Sequence, residues 1–236
     1  MIKQKIFSLA PNFLVRKYLN YKSAKEIKKY VGENVNCPIC KSSFRIFASF
    51  GNPIRENAKC PKCDSSERLR LMWLYLHQKT DLFTNTTQKK ILHFAPEKSL
   101  FCEFLKLPYV DYVPCDLFPT KYVYGRNVKV TKVDITNIPF ENNTFDIILC
   151  SHVLEHIPDD ALAMSELYRV LKPGGWGIFQ VPIDYSREKT YEDFSITTPE
   201  GRQKAFGQHD HVRWYGKDYI NRLRKSGFHG QRHSFN

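Results

Sequence analysis

The sequence predicts an α/β fold, a doubly wound and mostly parallel sheet with a small cysteine-bearing module ahead of it. Three observations carry this expectation. Between residues 88 and 230, apolar runs of strand length alternate with segments of helical spacing. One of the runs, Phe145-Asp-Ile-Ile-Leu-Cys150, is nearly continuous in apolar residues, as a central parallel strand covered on both faces requires. Upstream, Cys37-Pro-Ile-Cys40 and Cys60-Pro-Lys-Cys63 form two matching pairs with 19 residues between them.

At 236 residues the chain can bury one full core and carry an appendage. Residues 1–36 read as a basic N-terminal helical segment, 37–80 as the cysteine module with a linker helix, and 88–236 as the main domain. The net charge is +12, divided as +6 over 1–36, +5 over 37–80, −2 over 81–180 and +3 over 181–236. The basic excess therefore precedes the segment read as the core, which matches a solvated lysine-rich face better than a basic binding face. No run of apolar residues is long enough to cross a membrane. Lysines and arginines interrupt the first thirty residues, which argues against a secretory leader and for a cytoplasmic location. Residues 2–20 read as a basic amphipathic helix with Ile6, Phe7, Phe13, Leu14 and Tyr18 available to a membrane surface or to the body of the protein, the second being favoured.

In each cysteine pair the two intervening residues allow a tight turn that aims both thiolates at one tetrahedral ion. The 19-residue excursion leaves room for a hairpin, so Cys37, Cys40, Cys60 and Cys63 read as a zinc-ribbon site. A disulfide pair conflicts with the missing leader, and a redox pair has no need to occur twice at this spacing. Four thiolates leave no open position, so the zinc is expected to be structural. Cys102, Cys115 and Cys150 stand in apolar runs and read as buried reduced thiols. Glu67–His77 reads as the linker helix, burying Leu71, Trp73, Leu74 and Leu76 or a subset, with Arg68 and Arg70 toward solvent or substrate.

The first strand of the main domain is expected at Lys90–Ala95 and its helix near Ser99–Leu107; a second strand runs from Tyr109 to Cys115 and ends at Asp116. Val128–Val133 alternates and reads as a third strand ending at Asp134, and Phe145–Cys150 is the fourth. Asp159 or Asp160 caps a helix with Ala163, Leu167, Val170 and Leu171 on its apolar face. Lys172-Pro-Gly-Gly175 ends that helix, and Gly177–Val181 is the next strand.

In such sheets ligands sit beyond the carboxyl ends of the strands, at the switch point between the two halves. Asp116, 19 residues beyond Glu97, stands near the distance at which an acidic side chain reaches a ribose hydroxyl. Two long polar segments follow the last strand, Thr190–Arg202 and Phe206–Gly216, and such loops commonly carry function. His211 is the leading general base, because an imidazole titrates near neutrality, with His209, Asp210 and Arg213 to orient it or bind an anionic group. The alternative is that Asp210 caps a turn and the histidines bond loop backbone.

The stretch Cys150-Ser-His-Val-Leu-Glu-His156-Ile-Pro, followed by Glu166-Leu-Tyr-Arg-Val-Leu-Lys-Pro-Gly-Gly175, resembles the class I S-adenosylmethionine-dependent methyltransferases of the methyltransferase type 11-like group. The resemblance covers roughly residues 88–230. It implies a Rossmann-like sheet and S-adenosyl-L-methionine as cofactor. By resemblance, Asp116 takes the ribose hydroxyls, Asp134 with the Ile135 backbone faces the adenine amino group, and Ser151 and His152 lie along the methionine side. Two departures stand out. The Gly-rich loop that normally ends the first strand is replaced by His93-Phe-Ala-Pro-Glu97-Lys-Ser99, so the loop is expected to take another shape, with Glu97 binding the cofactor's ammonium group in compensation. The chain also leaves few residues for the usual terminal strand pair, so either the sheet is cut short there or the chain is a fragment.

The acceptor is expected to be a hydroxyl or amine of a small molecule or sugar. Two other readings are an RNA methyltransferase that grips phosphates with the ribbon, and a non-catalytic adaptor whose fold has lost its cofactor.

Overall fold

The structure, a computed structural model, describes residues 25–122, 124 and 129–230. The amphipathic reading of residues 2–20 lies outside the described residues, as do Val128 at the start of the expected third strand and residues 231–236. Two compact units are present. Among the described residues, one holds 25–87 together with Glu97–Leu107, and the other holds Gln88–Pro96, Pro108–Tyr122 and 129–230.

In the first unit β1 (Val35–Asn36) pairs antiparallel with β2 (Ser43–Phe44), and β3 (Ala48–Phe50) with β4 (Arg55–Lys59). Ladders this short are marginal on their own. Phe44, Phe47 and Ala58 are buried beneath them, and the Arg70 guanidinium lies 4.0 Å from the Phe47 ring while donating to the carbonyls of Ala58 and Ser65. Arg70 is thus turned inward, not toward solvent or a substrate as the sequence suggested.

Helix α1 (Glu67–Lys79) starts at Ser66, whose hydroxyl accepts the Leu69 N–H. It buries Met72, Trp73 and Leu76. At 3.6 residues per turn that stripe leaves Leu71 and Leu74 on the far side, so these two expected core residues are exposed. Helix α2 (Lys98–Phe104) belongs to the same unit, with Lys98 Nζ 2.9 Å from Asp64 Oδ2. Cys102, on α2, is half-buried, whereas the other two thiols outside the cysteine pairs, Cys115 and Cys150, are buried as expected.

The second unit is built on a five-stranded sheet in the order β7-β6-β5-β8-β9, every pair parallel. Its strands are β5 (Lys89–Phe94), β6 (Val110–Asp116), β7 (Thr131–Lys132), β8 (Phe145–Ser151) and β9 (Leu171–Gln180). The chain runs outward from β5 to β7, then returns to place β8 on the other side of β5, which puts the switch point between β5 and β8. β7 is shorter than expected: only Thr131 and Lys132 pair, while Val130 and Val133 on either side are buried.

Helix α3 (Asp160–Val170) is capped by Asp159, which accepts the Leu162 N–H at 2.9 Å, and buries Ala163, Met164, Leu167 and Val170. It ends one residue earlier than its spacing suggests, because Leu171 already pairs with Phe145 as the first residue of β9. Lys172-Pro-Gly-Gly175 is therefore an excursion inside the strand, between the Leu171–Phe145 and Trp176–Ile147 pairs, with Gly174 in the left-handed region at φ 79°. The motif pair Glu166 and Arg169 anchors the preceding loop. Glu166 accepts the Ile138 N–H, and Arg169 donates to the carbonyls of Ile138 and Phe140.

The segment read as two long polar loops contains regular structure. β10 (Tyr191–Glu192) pairs antiparallel with β11 (Arg213–Trp214), and α4 (Pro199–Phe206) lies between them. Thr198 caps α4 by accepting the Gly201 N–H, with Pro199 at its first position. Helix α5 (Tyr219–Lys225) follows, burying Tyr219 and Leu223 in the sheet's core with Leu154 and Leu167. Among the described residues no strand extends the sheet beyond β9.

Candidate functional site

The cysteine centre arises from a repeated turn. Each knuckle reads Cys-Pro-x-Cys-x-Ser-Ser, and each closes with the same two backbone hydrogen bonds. Lys41 N–H donates to the Cys37 carbonyl and Cys37 N–H to Ser42; Asp64 N–H donates to Cys60 and Cys60 N–H to Ser65. Lys41 and Asp64, the residues after each second cysteine, both turn left-handed at φ 56° and 64°. A tetrahedral ion with bonds of about 2.3 Å sets its ligands about 3.8 Å apart. The Sγ atoms of Cys37 and Cys63 are 3.6 Å apart, those of Cys40 and Cys60 3.7 Å, and all four lie within 4.8 Å of one another. Their mutual hydrogen bonds hold Cys37 and Cys40 below the ordinary thiol range, Cys40 at about 6, and push Cys60 and Cys63 above it. Four sulfurs this close cannot all ionise unaided, and a doubly charged cation resolves that conflict, so the donor set fits zinc.

At the sheet, the polar residues named from sequence do stand at carboxyl ends of strands. Asp116 is the last residue of β6 and is nearly buried; its Oδ1 accepts the Phe118 N–H and its Oδ2 the Tyr122 hydroxyl at 2.6 Å. Asp134 is exposed beyond β7, where its Oδ1 accepts both the backbone N–H and the hydroxyl of Thr136. Those two bonds hold its carboxyl below the usual range. Ile135 is buried in the core. Ser151 ends β8 with its hydroxyl 3.4 Å from Gln180 Oε1, and His152 follows it, its backbone N–H donating to the Gln180 carbonyl. Glu97 is the residue before α2 and belongs to the first unit.

The loop after β5 lacks glycine but keeps a glycine-like backbone. Ala95 has φ 48°, and its N–H donates to the Cys115 carbonyl. Across the switch point His152 also turns left-handed, at φ 56°. Two strained non-glycine residues thus flank the ends of the two central strands, where such strain commonly marks function.

His211 meets partners that its own neighbourhood in sequence does not reveal. The Val212 N–H donates to the Glu155 carbonyl, and Arg213 donates to the carbonyls of Leu154, Ile157 and Pro158 and to the Glu192 carboxylate. These bonds stitch residues 211–213 onto 154–158, the short turn after β8. Arg213 is buried, and its guanidinium is taken up by these carbonyls and by the Glu192 carboxylate. The His211 ring lies edge-on to His156 with centroids 4.7 Å apart. One carboxylate oxygen of Glu155 and one ring nitrogen each of His156 and His211 all lie within 4.8 Å of one another. Burial holds the His211 ring below the ordinary imidazole range, and His156 acts in the same direction, against Glu155 and Asp210. Asp210 orients His156, whose Nδ1 lies 3.3 Å from the Asp210 carbonyl, while His209 is exposed. Glu155 and His156 are therefore the residues that sequence reasoning passed over. Their local signal is the Val153-Leu-Glu-His156 stretch just past a buried strand, which carries the resemblance but marks no chemistry of its own.

Residues 99–179 match the methyltransferase-domain family. The chain is similar to a demethylmenaquinone methyltransferase of Streptomyces avermitilis, 40% identical over 67 residues, or 27% of this chain and 29% of that one. It is also similar to the ubiquinone/menaquinone biosynthesis C-methyltransferase UbiE of Idiomarina loihiensis, 33% identical over 73 residues, or 30% and 29% of the two chains. The chain thus spans under a third of the length of these curated relatives. Among solved structures it is similar to an S-adenosylmethionine-dependent methyltransferase of Mesorhizobium loti, with TM-score 0.41, 17% identity and coverage of 60% of this chain and 74% of that one. The YcgJ protein of Bacillus subtilis gives TM-score 0.41 at 18% identity, covering 59% of this chain and 61% of that one. The matched segment takes in β6, β8 and α3, so it is this part of the chain, about a third of it, that is similar to the methyltransferase-domain family.

Proposed function

We propose that this domain transfers a methyl group to a hydroxyl or amine of a small-molecule or sugar acceptor. The observation that carries this reading is the acid–imidazole cluster of Glu155, His156 and His211, strapped to the carboxyl end of β8 beside Ser151 and His152. S-adenosyl-L-methionine supplies a methyl group already activated on its sulfonium, so the chain must hold it, align the acceptor and keep water out. In this reading Asp116 accepts the ribose hydroxyls in place of the Tyr122 hydroxyl, Asp134 and the Ile135 backbone face the adenine, and Ser151 and His152 line the methionine side. His211 provides a neutral imidazole that can take the acceptor's proton. The left-handed backbone at Ala95 supports retained cofactor binding, since that is the conformation glycine usually supplies in such a loop.

The quinone-directed names of the curated relatives favour a small molecule over RNA. Zinc at Cys37, Cys40, Cys60 and Cys63 belongs to the same reading as a structural ion, as does the division into residues 1–36, 37–80 and 88–236. No helix among the described residues is long and apolar enough to cross a membrane.

The test is transfer of labelled methyl from S-adenosylmethionine into fractionated cell extract. Label in a low-mass fraction that resists nuclease and protease is the expected result. Label lost to nuclease would replace the small molecule with RNA. Absence of both transfer and calorimetric heat at millimolar S-adenosylmethionine would leave the adaptor reading standing.

A further inference from the structure

We propose that Glu155, His156 and His211 form a binding site for a divalent first-row cation, separate from the cysteine centre. Two imidazole nitrogens and one carboxylate oxygen within 4.8 Å of one another make a ligand set suited to such ions, and three protein ligands leave positions open.

An independent observation points the same way. Glu155 is 1% exposed, and its Oε2 has no hydrogen-bond partner. Its other oxygen lies 3.4 Å from His152 Nδ1. A buried carboxylate oxygen without a donor costs free energy unless something satisfies it. A cation does so directly.

The His156 imidazole is already arranged for ligation. His156 Nδ1 faces the Asp210 carbonyl at 3.3 Å and the Asp210 Oδ2 at 3.5 Å. Both oxygens only accept, so Nδ1 carries the proton and Nε2 keeps its lone pair. Metal-binding histidines are held in this way, with one ring nitrogen donating to a carbonyl or carboxylate and the other turned to the ion. Asp210 is thus a positioning residue for His156.

The use of the cation, to hold and acidify an acceptor oxygen, rests on the methyl-transfer reading; its binding does not. With the cation held, His211 is a ligand, and activation of the acceptor passes from the imidazole to the ion.

The test uses the full chain with its cysteine centre loaded with zinc, equilibrated with Co2+ alone. Elemental analysis is expected to show one cobalt per chain above the zinc, and the visible spectrum ligand-field bands without thiolate charge-transfer absorption. Glu155→Gln and His211→Ala are expected to abolish that cobalt while keeping the zinc. Asp210→Ala, at an exposed position, is expected to weaken it by about 10–100-fold. The proposal is overturned if no cobalt binds beyond the zinc, if the spectrum shows thiolate ligation, or if all three variants bind cobalt as the parent does. Calorimetry with S-adenosylmethionine is read separately, so cobalt bound without cofactor heat would remove the methyl-transfer reading and leave the cation site.

Discussion

The cysteine centre and the Glu155–His156–His211 cluster are both groups of metal-suited side chains, yet they are assembled in opposite ways. The cysteine centre is local: two copies of Cys-Pro-x-Cys-x-Ser-Ser make the same turn with the same backbone bonds, and little chain separates them. The acid–imidazole cluster is distant in sequence, since His211 reaches Glu155 and His156 only because Val212 and Arg213 bind the turn after β8. A local centre depends on its own ligands for order. A distant one depends on residues that need not touch a ligand at all.

The largest effect should come from removing zinc. Structural zinc in small cysteine sites binds with about 10–16 kcal/mol of apparent free energy, and that energy is folding energy. Chelation, or Cys40→Ser, is expected to melt β1–β4 and open residues 35–63 to protease, read by limited proteolysis alongside elemental analysis. Unchanged protection in zinc-free protein would mean that the buried Phe44, Phe47 and Ala58 hold the unit without the ion.

The next largest effect should come from the strap. Arg213 is fully buried and paired with Glu192, and breaking such a pair typically costs about 3–5 kcal/mol. Arg213→Met should lower urea stability by roughly that amount and detach His211 from Glu155. Arg213→Lys should rescue little, because a single ammonium cannot span three carbonyls and a carboxylate. A stability loss below about 1 kcal/mol for Arg213→Met would show that β10–β11 pairing alone holds the segment.

The smallest effect concerns the strand end. A left-handed non-glycine residue costs about 1–2 kcal/mol, partly offset by the entropy that glycine loses on folding. Ala95→Gly is therefore expected to raise urea stability by up to about 1 kcal/mol. A loss of stability of similar size would show that the Ala95 methyl packs usefully and that the turn is not strained.

Much of the fold was legible because its signals are local. The strands at Lys89–Phe94, Val110–Asp116 and Phe145–Ser151 are apolar runs that nothing else could accommodate, and Asp159 marks the start of α3. The errors have physical causes. Lys172-Pro-Gly-Gly175 reads as a helix stop, yet pairing with β8 draws it into a strand as a bulge. The polarity of residues 190–216 suggests loop, but Thr198 and Pro199 start a short helix there and a half-buried ionic pair, Arg213 with Glu192, holds the strands. Arg70 and Arg213 look like surface cations, and both are spent on backbone carbonyls.

By itself the sequence determined the parallel sheet, the four cysteines of the ribbon and the strand ends at Asp116 and Ser151, because apolar period and fixed ligand spacing act over a few residues. Only the tertiary structure decided that His211 faces Glu155 and His156 and that Arg213 is a strap. Those choices are made by backbone carbonyls of a turn more than fifty residues away, and carbonyls leave no mark in a sequence.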